Sequence, residues 1–237
     1  DISDYMDIEP EIGSMESIKR LIAEAHNRDI KILMDLVANH TSAEHKWFKE
    51  SKKSKDNPYS DYYYWYDEPQ TDWQSMWGGS AWEYCEERKQ YYLHHYDVTM
   101  PDLNWDNPKV REEINRVVDF WASLGVDGFR CDVIHEISKD LKNNIMSMGP
   151  HIHEYINGLF GRPETDHLFT VGECWVWNEQ SFCNLTKEEG KELSTMFQFQ
   201  HITFGRDGKH TPKPQKLAEL RDVLVHWQHV SYENDLL

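Results

Sequence analysis

The sequence predicts an α/β protein built on a parallel sheet. Three observations carry that prediction: four short β-like runs alternate with helical patterns, no repeat or low-complexity linker divides them, and polar groups gather at the ends of the strands. In α/β folds, strand ends and the loops beyond them are where chemistry is placed.

The first helical pattern covers residues 14–28, where Ile18, Leu21, Ile22 and Ala25 recur at helical spacing. It leads into an apolar run over residues 30–37, read as a buried strand that ends in DLVANHT. Asp35, Asn39 and His40 therefore fall at a strand end or in the loop after it. A lone Asn-His pair at such a place is more often structural, because both side chains readily satisfy loop backbone groups.

Residues 41–103 break the alternation. SKKSKDNPYSDYYYWYDEP and WGGSAWEY are polar, aromatic and rich in turn residues, leaving room only for short irregular strands. We read this segment as an insertion overhanging the end of the preceding strand, with its lysine run solvated. Its tyrosines and tryptophans form a small core or line a cleft, the core being the commoner fate.

Regular structure resumes at Asn107, a helix cap with Pro108 behind it, and Ile114, Val117, Val118, Trp121 and Leu124 share one face. Gly125 ends this helix. The strand that follows carries Arg130 and Asp132 two residues apart, so both point to one face. Such a pair reads either as an internal ion pair or as a nucleophile held ionised by its arginine.

A helix with Ile152, Tyr155, Ile156 and Leu159 on one face comes next, then a strand over residues 168–172 that ends in Glu173. Glu173 lies between Val171 and Trp175 with no cation adjacent in sequence, which favours a raised pKa and an acid's role. If the two strands are neighbours, Asp132 and Glu173 face one another, the pairing used in glycoside hydrolysis. A strand-like run over residues 195–203 and a helix over residues 213–230 complete the pattern.

Composition narrows the partners. With 237 residues and a formal net charge of −17, the chain is an unsuitable ligand for nucleic acid or an anionic membrane. No run approaches a membrane span of roughly 20 apolar residues. Cys85, Cys131, Cys174 and Cys183 lack metal-ligand spacing and are read as reduced thiols of a cytoplasmic protein. His94-His95 and His151-x-His153 lack an evident third ligand, so they are expected on the surface or in a cleft, with no metal. No cofactor is implied, and oligomeric state leaves no signal.

DLVANHTS, GVDGFRCDVI and VGE occur in the order and at the spacing of the α-amylase family of glycoside hydrolases. The resemblance continues through DISDY, NPYSDYYYW, SAWEY, YYLH, MPDLNWDNPKVREE and FQFQH. It is closest to the oligo-1,6-glucosidase and dextran glucosidase branch, which includes trehalose-6-phosphate hydrolases. It implies a (β/α)8 TIM barrel of which about four of eight strands are present, with residues 1–40 and 104–237 as barrel segments and 41–103 as the insertion.

The resemblance also assigns roles. Asp132 matches the nucleophile, Glu173 the general acid/base, and Arg130 the arginine supporting the nucleophile. His40 matches a ligand of the cleaved sugar, Asp35 and Asn39 supporting positions, Asp1 a residue holding the terminal glucose, and Val133 a marker of α-1,6 specificity. The implied activity is retaining hydrolysis of α-1,6-linked glucose oligosaccharides; trehalose-6-phosphate hydrolysis, sucrose isomerisation and a non-catalytic binding role are the alternatives. The family's third carboxylate, in an Asn-His-Asp motif, is not matched here. The chain is therefore expected to be a fragment, poorly active by itself.

Overall fold

The computed structural model describes residues 1–175, 178–203, 205–207, 211–214 and 216–233. Ser14 and Ser17 cap each other reciprocally and so start α1 (Met15–His26). Ile22 and Ala25 turn into the core, whereas Leu21, expected on the same face, is 53% exposed. The chain then enters β1 (Leu33–Val37), shorter than the apolar run 30–37. Ile32 pairs with Asp127 instead of continuing the ladder: its N–H donates to the Asp127 carboxylate and its carbonyl accepts from the Asp127 N–H.

Between β1 and the next long helix lie α2 (Lys46–Ser51), β2 (Trp65–Tyr66), β3 (Trp82–Cys85) and β4 (Gln90–Leu93). The three strands form an antiparallel sheet in the order β2-β4-β3. Most of the segment's aromatic residues make its core: Phe48 stacks on Trp65 at 5.6 Å and meets Tyr63 and Tyr92 edge-on. The guanidinium of Arg88 sits 4.6 Å over Trp65 and donates to the Ser51 and Ser54 carbonyls, locking this core to α2. Lys53 and Lys55 remain solvated, as expected. A bridge between His40 and Asp102 and a hydrogen bond from the Leu103 N–H to the Asn39 carbonyl sew the insertion to the end of β1, and a bridge between Tyr63 and Leu103 closes the insertion on itself.

Asn107 accepts from the Lys109 N–H and opens α3 (Pro108–Ser123), whose Val110, Ile114, Val117, Val118 and Trp121 are buried. Gly125, at φ 97°, turns the chain in a conformation that side chains disfavour. β5 (Gly128–Asp132) follows, then α4 (Ile152–Phe160) and β6 (Phe169–Gly172). A Cβ at position 128 would lie 1.8 Å from the Phe169 carbonyl oxygen, so only glycine lets β5 and β6 begin together.

β1, β5 and β6 pair in parallel, and β7 (Thr195–Met196) completes the order β1-β5-β6-β7. Leu36, Phe129 and Cys131 join Ile114, Val118, Ile156 and Leu159 in one core. The alternate positions Asp35, Arg130 and Asp132 take the other face, in a register that sets Asp35 beside Arg130 and Val37 beside Asp132. Four adjacent parallel strands with helices on one face are a segment of a barrel wall.

The C-terminal part corrects two expectations. The run 195–203 is strand only at Thr195–Met196; after α5 (Glu179–Thr186), that short strand passes into α6 (Gln200–Thr203). Among the described residues, the ladder pairs Thr195 and Met196 with Val171 and Gly172 and ends in a hydrogen bond from the Phe197 N–H to the Gly172 carbonyl, so β propensity farther along has no strand to join. The last helix, α7 (Leu217–Glu233), starts later than residue 213 and buries Trp227 and Val230 while Leu217 and Leu224 stay exposed. Among the described residues, no helix is long and apolar enough to cross a membrane.

Candidate active site

Arg130 is the hub of the polar face. Its Nη1 donates to Asp35 Oδ1 and to Asp132 Oδ1, each at 2.7 Å, and its Nη2 donates to Glu173 Oε2. Parallel pairing makes this possible. Arg130 is opposite Val171 and Cys131 opposite Gly172, so Asp132 and Glu173 end neighbouring strands at one level, tied by Glu173 N–H donating to the Cys131 carbonyl. The Trp175 indole N–H donates to the other Glu173 oxygen at 3.1 Å.

Three carboxylates thus share one cation. Burial, opposed by Arg130 and reinforced by Glu173, raises the Asp132 pKa above its ordinary 3.8. This corrects the reading in which Glu173 has no cation and is set apart from Asp132 by charge. A long arginine side chain reaches diagonally across the register, a contact that adjacency in sequence does not reveal. The charge pattern alone therefore does not divide the two roles.

His40, 4% exposed, lies near enough to Asp132 to feel its charge. Its Nε2 is 3.1 Å from Asp1 Oδ1 and its Nδ1 is 3.3 Å from the Asn39 side-chain amide. The amide N–H₂ can only donate, which assigns the proton to Nε2 and makes Asp1 its acceptor. Burial lowers the His40 pKa and keeps the ring neutral. Tyr5 braces the loop, its hydroxyl lying 2.7 Å from the Val37 carbonyl oxygen and 3.0 Å from that of His40. The structure therefore brings together Asp1, Asp35, Asn39, His40, Arg130, Asp132 and Glu173.

Val133 behaves differently from a cleft residue. It is 5% exposed and at φ 34°, turning the chain from β5 into the 3-10 turn Ile134–Glu136. A β-branched residue is strained there, so its first job is to redirect the chain just past Asp132.

A second polar cluster lies behind His40. The Lys139 ammonium is fully buried, 2.6 Å from both Asn39 Oδ1 and the Glu136 carbonyl oxygen and 3.1 Å from Asp102 Oδ2. His95 Nδ1 lies 2.5 Å from Glu136 Oε2, and the Tyr96 hydroxyl donates to Glu136 Oε1 at 3.1 Å. His94 and His95 are therefore buried, not on the surface or in a cleft. His151 and His153 are more open, beside Glu154 and Glu192.

Sequence reading missed Lys139, Asp102, Glu136 and Tyr96 because each looks like an ordinary polar residue. The available signal was the charged pair Glu136 and Lys139 inside IHEISK, directly after a strand end. Among the described residues, no group of three or more His, Cys, Asp or Glu is arranged to hold a metal ion. The four cysteines are unpaired, and only Cys85 is partly accessible.

Residues 1–235 match the family described as Alpha amylase, catalytic domain. Glucan 1,6-alpha-glucosidase of Streptococcus pneumoniae serotype 4 is 43% identical over 236 residues, covering 96% of this chain and 43% of that protein. Oligo-1,6-glucosidase of Parageobacillus thermoglucosidasius is 42% identical over 251 residues, covering 96% and 44%. Among solved structures, a trehalose-6-phosphate hydrolase variant of Bacillus licheniformis superimposes with a TM-score of 0.93 at 39% identity, covering 99% of this chain and 45% of that one. The chain spans less than half the length of these relatives. With its parallel strands and this match over nearly every residue, the chain belongs to the alpha-amylase catalytic-domain family.

Proposed function

We propose that the protein containing this chain is a retaining α-glucosidase acting on short α-1,6-linked glucose oligosaccharides such as isomaltose. The observation that carries this reading is the Arg130 guanidinium bound to Asp132 and Glu173 at the ends of adjacent strands. One guanidinium spanning both carboxylates suits the short spacing, about 5 Å, at which retaining enzymes hold nucleophile and acid. Asp132 takes the nucleophile's role and Glu173 the acid's, supported by their surroundings. Asp132 is near the buried His40, which donates to Asp1, and we assign the terminal glucose to that side; Glu173 accepts from Trp175, 38% exposed, and we assign the leaving group there.

In the first step an Asp132 oxygen bonds to the anomeric carbon while the C1–O bond breaks and Glu173 gives its proton to the departing oxygen. Glu173, now a carboxylate, takes a proton from water, whose oxygen displaces Asp132 and releases glucose. Arg130 stabilises Asp132 as leaving group, and the His40 N–H, which donates to Asp1 before substrate binds, donates to a sugar hydroxyl once substrate is bound. Asp35 supports these groups from β1 and Asn39 from the loop after it. Residues 1–40 and 104–237 carry the chemistry, and 41–103 shapes the cleft.

The test is hydrolysis of isomaltose followed by NMR. α-Glucose formed first, and loss of activity in Asp132→Asn, are expected. β-Glucose formed first, or full activity of Asp132→Asn, would refute the reading. A second reading, hydrolysis of trehalose 6-phosphate, is favoured by the likeness to the Bacillus licheniformis enzyme. Turnover of that substrate with isomaltose untouched would select it.

A further inference from the structure

Glu136 lies four residues beyond Asp132, yet both of its side-chain hydrogen bonds go to the insertion. It accepts from His95 Nδ1 at 2.5 Å and from the Tyr96 hydroxyl at 3.1 Å. It is 3% exposed, and its other near neighbour, His135 Nε2, stands 3.7 Å away. The Tyr96 ring packs 5.3 Å from the His40 ring and 5.6 Å from Trp77, which is 63% exposed. His40 in turn faces Asp1. One line of contacts thus runs from Glu136 through Tyr96 and His40 to Asp1.

A buried carboxylate is costly unless it is paired, and a well-packed apolar group often serves stability as well. What an apolar side chain does not supply is direction: two charge-assisted hydrogen bonds fix where consecutive residues of another segment lie. The adjoining anchor fixes only backbone here: Asp102, held by Lys139, accepts from the His95 backbone N–H at 3.1 Å, whereas the His95 and Tyr96 side chains are held by Glu136.

We propose that Glu136 is a positioning residue: it holds the Tyr96 ring, and through it the His40 imidazole, where the glucosyl ring meets Asp132. This rests on the glucosidase reading above. Glu136 touches no reacting atom. Its loss therefore weakens sugar binding and raises KM while leaving kcat nearly unchanged.

The experiment measures, by calorimetry, the affinity of the protein for 1-deoxynojirimycin, a glucose-configured ligand that is not hydrolysed. Binding is read well below the melting temperature of every variant. Glu136→Leu is expected to weaken binding about tenfold, equivalent to about 1.4 kcal/mol. Glu136→Gln, which keeps one acceptor, recovers part of this, and Tyr96→Phe, which keeps the ring but loses its tether, weakens binding about threefold. Affinities within twofold of the unsubstituted protein, with only melting temperature lowered, would reduce Glu136 to a structural role. Should Glu136→Leu fail to fold, Tyr96→Phe decides. No binding by the unsubstituted protein is a different failure, which removes the glucosidase reading and this inference with it.

Discussion

Two charge clusters stand side by side in this protein and are built on opposite plans. Around Arg130, three carboxylates share one cation, and all four side chains keep some contact with solvent, from 15% for Glu173 to 56% for Asp35. Around Lys139 and Glu136, each charge has its own partner, and the Asp102, Lys139 and Glu136 side chains are at most 3% exposed. The first cluster holds excess negative charge at an open strand end, as a site awaiting a substrate would. The second is paired and closed, as a clamp between two segments would be. Substitutions should therefore move the two in opposite directions.

The largest effect is expected from Lys139→Met. It leaves Asp102 buried without its cation, and removing one partner of a buried pair typically costs about 3–5 kcal/mol. Urea unfolding monitored by tryptophan fluorescence should show a midpoint lowered accordingly. An unchanged midpoint would show that the clamp is not what joins the insertion to β1.

Glu136→Gln should cost less, about 2 kcal/mol near neutral pH, the scale of a hydrogen bond to a charged group. Burial opposes ionisation of Glu136, but the His95 hydrogen bond and charge outweigh it and hold the carboxyl below its ordinary 4.5. A depressed acid contributes stability that is present above its unfolded value and lost as pH falls through the folded one. The gap between Glu136→Gln and the unsubstituted protein should accordingly close as a melting series is taken to acid.

Asp132→Asn should do the reverse and stabilise, by about 1 kcal/mol, the gain typical of relieving a strained functional site. The folded Asp132 holds its proton more tightly than the unfolded chain does. Its relative stability is therefore full below 3.8 and lost as pH rises through the raised value. The asparagine variant should melt higher at neutral pH, with the advantage vanishing on acidification. A variant that melts lower at pH 7 would mean that Arg130 overcompensates the three carboxylates.

These contrasts also mark what could be read from the chain. Strand ends bearing Asp35, Arg130, Asp132 and Glu173 were legible because a period of two puts like residues on one face and because Asn107, Pro108 and Gly125 punctuate the helix before β5. The Arg130–Glu173 contact was not legible: it depends on the register of two strands whose paired residues are 41 apart in sequence. Nor was the Lys139–Asp102 pair: IHEISK marks a charged pair after a strand end, but nothing in it points to a partner as distant as Asp102. Thr195–Met196 shows the same limit, as strand length there is set by the partner and not by propensity.

The central claim is that Asp132 attacks the sugar. The direct measurement is to treat the protein with 5-fluoro-α-glucosyl fluoride, which forms the glycosyl-enzyme but slows its hydrolysis, and to map the label by peptide mass spectrometry. The account predicts one fluoroglucosyl group, on Asp132, absent in Asp132→Asn. A label on Glu173, or steady hydrolysis with Asp132 never modified, would contradict it.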